Sequence, residues 1–130
     1  MATSKERKNQ LLTMADETIR SSAIYSNGQI ISESYNGQIA AFSVTVALSG
    51  LKPALALYYS NTGSSEIDKR KIIDLLACMY SKDKNTNKNG KEFYQFVIDA
   101  DKQSEADLRK EILAYAIALK LIVRTFKFKK

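Results

Sequence analysis

Residues 39–59 read IAAFSVTVALSGLKPALALYY. The stretch is oily enough to pass for a membrane span, and the way it divides decides the fold. A spanning helix needs about 20 apolar residues without a break. Here Gly50, Lys52 and Pro53 fall in the middle, where a lysine would cost about 2.5–3.5 kcal/mol on insertion scales. Each half is too short to cross alone. Two core helices meeting at a tight joint account for the same residues. Gly50 would end the first in the left-handed cap that glycine tolerates. Pro53, the only proline of the chain, suits the first turn of the second, where no intrahelical N–H is lost.

Working outward, the rest of the chain also falls into helical phrases. Ahead of the joint, a helix starting at Ser32 or Ser34 would place Tyr35, Ile39, Phe42 and Val46 on one face. Before it, Thr3 with Glu6 forms a capping box, Leu12, Ala15, Ile19 and Ala23 recur at three- and four-residue steps, and Asn27-Gly28 marks a stop. Beyond the joint, Ser65 and Asp68 are positioned to cap a helix with a core stripe of Ile72, Leu75, Leu76 and Met79. The Asn/Lys-rich stretch 81–91, SKDKNTNKNGK, reads as a flexible loop. Asn89 with Glu92 restarts a helix carrying Phe93, Phe96 and Val97. In the closing helix, capped by Ser104 and Asp107, Leu108, Ile112, Tyr115, Leu119, Ile122 and Phe126 step by four, three, four, three and four. No strand-like alternation competes. The expectation is an all-α fold, a single-domain bundle of five to six helices over residues 1–130 with a basic tail at 127–130.

Composition agrees. A 130-residue chain that is 45% hydrophobic can bury roughly two-thirds of its unfolded surface. Its five glycines and one proline are few for an all-β chain. One cysteine, Cys78, cannot form an internal disulfide, and the N-terminal MATSKERKNQ lacks the apolar core of a signal peptide. Both point to a reduced, cytoplasmic protein.

Familiar catalytic chemistry is missing. There is no histidine, so the usual general base and the commonest metal ligand are absent. A lone cysteine makes neither a zinc cluster nor a Cys/His nucleophile. No phosphate-binding loop occurs among the scattered glycines. Carboxylates such as Asp16/Glu17 and Asp99/Asp101 leave a carboxylate-only nuclease open, although acids near helix starts usually cap. No cofactor, no metal and no enzyme activity are expected.

The charge pattern is more informative. The chain carries +6, and residues 120–130 hold five basic side chains and no acidic one. On a continuous helix, with Arg109 at zero, Lys120 falls at about 20°, Arg124 at about 60° and Lys127 at about 0°. That makes a cationic stripe about 27 Å long, suited to phosphates contacted by charge rather than by base edges. Lys69, Arg70 and Lys71 add a second cluster. An ordinary solvated helix face would look similar, and Glu105 and Glu111 supply neighbouring negative charge in its favour. Of seven tyrosines, Tyr35 and Tyr115 belong to core stripes. Tyr58-Tyr59 closes the short third helix, where one ring can pack inward while the other meets a neighbouring subunit.

The phrase YNGQIAAFSVTVALSGLKPALALYYS resembles the hallmark of the small-subunit family of type III-B CRISPR effector complexes, the Cmr RAMP module. Ser49-Gly50-Leu51 and Leu55-Ala56-Leu57 stand where the family has its Asn/Ser-Gly-Leu turn and its Leu-Ala-Phe phrase. The closing ADLRKEILAYAIALKLIVRTFK is similar to the family's final basic helix. Leu57 replaces the common Phe, and the tryptophan of many members is absent. The resemblance implies a non-catalytic subunit of an antiviral RNA-guided complex. It would stack with copies of itself as a filament, contact the large polymerase-like subunit and the backbone RAMP subunits, and line the channel holding crRNA and single-stranded target RNA. Assigning the RNA contacts to Arg109, Lys120, Arg124 and Lys127, with Lys69 and Arg70, is our own reading. So is assigning subunit contacts to Tyr58 and Tyr59. A purely structural adaptor without nucleic-acid binding is the alternative, and an anionic-membrane surface protein a more distant one.

Overall fold

Six helices carry the chain: α1 (Ser4–Arg20), α2 (Glu33–Ser49), α3 (Leu51–Tyr59), α4 (Arg70–Lys84), α5 (Gly90–Ile98) and α6 (Lys102–Val123). The computed structural model describes residues 4–22, 24–25, 30–60 and 68–129. The all-α expectation holds, with a small addition. Two three-residue strands, β1 (Ile30–Ser32) and β2 (Lys127–Lys129), pair in parallel with Ile30 opposite Lys127. Three residues are too few to display a two-residue period, so this ribbon is invisible in the sequence.

The central joint forms as the sequence demands. Tyr35, Ile39, Phe42 and Val46 are the buried residues of α2, and Leu51, Ala54, Leu55 and Tyr58 those of α3. Gly50 separates the two helices with φ 95° and ψ 164°. This is not the left-handed cap but the more extended region open essentially to glycine alone. Its N–H still donates to Val46 O at 2.9 Å, closing α2, and Ala54 N–H donates to Gly50 O at 3.2 Å, opening α3. Lys52, awkward in an apolar phrase, reaches the α5–α6 connection. Its Nζ donates to Ala100 O at 2.6 Å and lies 3.9 Å from Glu105.

α6 packs against α1, α2 and α4, while α4 also meets α1, α3 and α5. These two helices form the spine of one core. They are cross-tied by Asp83 near the end of α4. Its carboxylate accepts two hydrogen bonds from Arg7 of α1, both 2.6 Å, and one from Tyr115 of α6 at 2.5 Å. The Arg7 hydrogen bonds hold the Asp83 carboxyl below its usual range against the opposing effect of burial. Burial, followed by the Asp83 carboxylate, pushes the Tyr115 phenol upward. Nothing in the helical periodicity announces this tie.

Several boundaries differ from expectation for local reasons. α1 ends at Arg20, where Ser21 and Ser22 hydroxyls bond back to Glu17 O and Ile19 O. Its buried stripe is Leu11, Ala15, Thr18 and Ile19, with Leu12 only partly covered. α4 runs on to Lys84 and stops where Asn85 adopts the left-handed conformation (φ 52°), so the Asn/Lys-rich connection spans 85–89. Ser81 Oγ ties it by accepting from Lys88 N–H at 2.9 Å and donating to Lys88 O at 3.2 Å. The Asn89–Glu92 capping box is present in both directions. In α5, Phe93 and Val97 are buried but Phe96 is exposed beside Tyr80 and Lys88. α6 begins earlier than the Ser104/Asp107 cap expected: Asp101 is the cap, accepting from Ser104 N–H at 2.8 Å. The cap position of α4 is Lys69, which makes no side-chain cap bond, and Asp68, one residue earlier, accepts from Arg70 N–H at 3.0 Å. Thr3, Ala23, Asn27, Gly28 and Ser65, given roles above, lie outside the described residues.

Candidate nucleic-acid and subunit interface

The closing helix stops at Val123, short of the proposed stripe's end. Ile122 and Val123 are β-branched, and Thr125 folds its hydroxyl onto Ile122 O at 2.7 Å while its N–H donates to the same oxygen at 2.9 Å. This local bonding competes with helix continuation. Arg124 therefore sits in a turn and Lys127 in β2, and the four cations do not share one straight helix face. Lys127 is described by its backbone alone. Phe126, assigned from sequence to the core stripe, turns aside to meet the Tyr25 ring edge-on at 5.3 Å and the Arg20 guanidinium at 5.0 Å.

What survives on α6 is an unneutralised pair. Arg109 is exposed and Lys120 half-buried, about 16 Å apart along the axis, with Arg124 exposed beyond them. The acids that could quench them are engaged elsewhere. Glu111 pairs with Lys84 of α4 at 2.7 Å, and Glu105 lies against Lys52 of α3. Among the described residues, Arg109, Lys120 and Arg124 have no ion-pair partner, whereas Arg7, Arg20, Lys52, Arg70, Lys82 and Lys84 all do. The arrangement leaves cations available to an external anion.

Lys69, Arg70 and Lys71 do not behave as one patch. Lys69 lies 5.5 Å from the Tyr58 ring centroid. Arg70 is paired with Asp68 at 3.1 Å. Lys71 borders a 200 Å³ cavity with Asp74 and Cys78. The tyrosine pair also separates. Tyr58 is 2% exposed, its hydroxyl donating to Gln38 O at 3.0 Å and its ring edge-on to Phe42, so it cannot reach a neighbouring subunit. Tyr59 is the outer ring, stacked on Tyr94 at 4.3 Å with planes 8° apart.

Apolar side chains also stand at the surface, where the sequence reading places none. On α2, Val44 and Leu48 are 56% and 82% exposed. With Gly37 and Ala41, also exposed, they step by four, three and four along the face opposite the core. The signal was legible: no charged residue occurs between Glu33 and Lys52, so apolar residues opposite the core stripe call for a cover of their own. A second row on α6, Ala114, Ile117 and Leu121, repeats the pattern behind the core stripe of that helix.

Comparison with known proteins decides the lineage. The family model described as CRISPR-associated protein (Cas_Cmr5) matches residues 4–126. The chain belongs to this family. The Cas_Cmr5 family is that of the small subunit of the type III-B Cmr complex. The fold matches the crystal structure of a CRISPR-associated Cmr5 family protein from Thermus thermophilus. The match has a TM-score of 0.69 at 21% identity and covers 92% of this chain and 98% of that one. No curated protein matches the chain. Among the described residues, no helix of this family member is long and apolar enough to cross a membrane, and no group of three or more potential ligands is placed to hold a metal.

Proposed function

We propose that the chain is a non-catalytic small subunit of a type III-B effector complex that holds guide and target RNA by the phosphate backbone. The contacts run through Arg109, Lys120, Arg124 and Lys127, with Lys69 and Arg70 secondary because each already has a partner. The observation carrying this reading is the engagement of Glu105 and Glu111 by lysines of other helices, which leaves the cations of α6 unpaired. Phosphate binding of this kind reads no sequence, as suits a subunit that leaves recognition to base pairing. Reversing charge in a Lys120→Glu/Arg124→Glu double variant should weaken binding to a long single-stranded RNA at least tenfold. The salt dependence should flatten by about 1.4 log units per log unit of salt, from about 0.7 per phosphate contact. Unchanged binding by a folded double variant refutes the assignment.

A second component is docking to neighbouring subunits. The uncharged outer face of α2, with Gly37, Ala41, Val44 and Leu48, supports stacking against another copy of the chain, and Tyr59 rather than Tyr58 supplies an outer aromatic contact. Were RNA binding absent, this face would favour the purely structural adaptor. Sedimentation of the protein and of a Leu48→Glu variant tests it: self-association should be lost in the variant.

A further inference from the structure

An open apolar groove of about 290 Å³ runs between α1 and α6. Leu11 and Leu12 face Ala114, Ile117, Ala118 and Leu121 across it, with Lys8 as the charged residue of its wall. Ile117 and Leu121 are each half exposed. Ala114 to Leu121 spans two helical turns, about 10.5 Å.

The unpaired charges around the groove are mainly cationic. Continuing the α6 row by the same steps of three and four, Lys110 lies one turn before Ala114 and Arg124 follows Leu121. On α1, Lys5 lies three residues before Lys8. None of Lys5, Lys8, Lys110 and Arg124 has an ion-pair partner among the described residues; of the acids near this row, Asp107 lies a turn before Lys110, and Glu111, three residues before Ala114, is bound by Lys84 at 2.7 Å. Asp16, next to Leu12 on α1, is bound by Arg20 at 3.0 Å.

Both walls are helices whose backbones bond internally, so the groove offers an occupant no main-chain hydrogen bonds. A helix, which satisfies its own backbone, suits such walls better than a strand that would look to the groove for main-chain partners. A second copy would bring the same cationic rim into opposition with itself. We infer that the α1–α6 groove docks an amphipathic helix of another protein, with aliphatic anchors at steps of four and three and acidic residues along its flanks. This surface is separate from the α2 face and does not rest on RNA binding; Arg124 alone is common to both sites.

The probe is a fluorescently labelled 18-residue peptide with leucines at steps of four, three and four and glutamates on the flanks. Its control carries lysines in place of the glutamates. With the full chain, the acidic peptide should bind saturably by anisotropy, at least tenfold more tightly than the lysine control. Ile117→Glu should weaken it at least tenfold. Leu121→Ala, which removes apolar surface without adding charge, should weaken it severalfold and covers the case in which the Glu variant misfolds. Lys8→Glu should narrow the preference for acidic flanks. Failure of the acidic peptide to bind, or indifference to both flank charge and the groove variants, overturns the proposal. A dimer dissociated by Ile117→Glu would assign the groove to a second copy. Vesicle binding lost in the same variant, without peptide binding, would assign it to lipid. Either result also overturns the proposal.

Discussion

Truncating Asp83 to alanine should be among the most damaging single changes outside the apolar core. Its side chain is 9% exposed and joins three helices through Arg7 and Tyr115. Removing it strands the Tyr115 hydroxyl, on a residue with no exposed surface, at about 1–3 kcal/mol. Loss of the charge-assisted bonds to Arg7 adds less, about 0.5–1 kcal/mol, because Arg7 is 39% exposed and regains water. The expected loss is about 1.5–4 kcal/mol, or a fall in Tm of about 5–20 °C at about 3–5 °C per kcal/mol for this length. Urea and thermal unfolding followed by circular dichroism would measure it. Asp83→Asn keeps an acceptor for Tyr115 and should lose about half as much. Tyr115→Phe removes the donor while Arg7 still satisfies the carboxylate, at about 1 kcal/mol.

The pH dependence gives an independent check. Arg7 holds the folded Asp83 carboxyl below its unfolded value, so the unfolded chain binds the proton more readily. The stabilisation is complete above about pH 4, the ordinary carboxylate range, and is lost as pH falls through the lower folded value. The stability gap between wild type and Asp83→Ala should therefore narrow in acid below pH 4. An Asp83→Ala variant within about 0.5 kcal/mol of wild type, or a gap unchanged by acid, would refute the account of this cross-tie.

Other substitutions test other joints. Gly50→Ala should cost about 1–3 kcal/mol from backbone strain, because the new Cβ would sit an ordinary 3.6 Å from Pro53; a neutral result in urea unfolding would mean the turn relaxes freely. Gly90→Ala places a Cβ against Asp74 Oδ1 and should destabilise, with Asp74→Ala in the same chain restoring part of the loss. Burial raises the Asp74 carboxyl above its usual range, so its ionisation opposes folding as pH rises past the unfolded carboxylate value. Asp74→Asn should accordingly raise Tm at pH 7 and have less effect at pH 4.

Which features the sequence disclosed follows from how local their causes are. The Gly50 joint, the α2 core stripe and the Asn89–Glu92 box depend on neighbours within four residues, and each is present. The end of α6 was misread because apolar spacing continues through Ile122 and Phe126, while a hydroxyl at Thr125 turns the chain aside. That single turn leaves Arg124 as the capping residue of α6 and takes Lys127 off the helical stripe. Tyr58 and Tyr59 are adjacent, and only the placement of α2 and α5 decides which ring is inside. The pairing of Glu105 with Lys52 and of Glu111 with Lys84 joins residues 53 and 27 positions apart, and no periodicity records it. The apolar outer face of α2 was in plain view as a charge-free run, but the inner stripe accounted for its hydrophobicity too readily.

The packing of α1 chiefly on α6 has a consequence for how the protein is made. A 17-residue helix is marginal in water without a tertiary partner. Its partner surface, from Leu108 to Val123, emerges roughly 90 residues later, or about 5–20 s at common synthesis rates. During that interval Leu11, Ala15 and Ile19 have no α6 to cover them, while α2 and α3 can already close on each other across Gly50. The first helix synthesised is thus among the last to be locked, and nascent chains stalled before residue 108 should present α1 to chaperones or proteases.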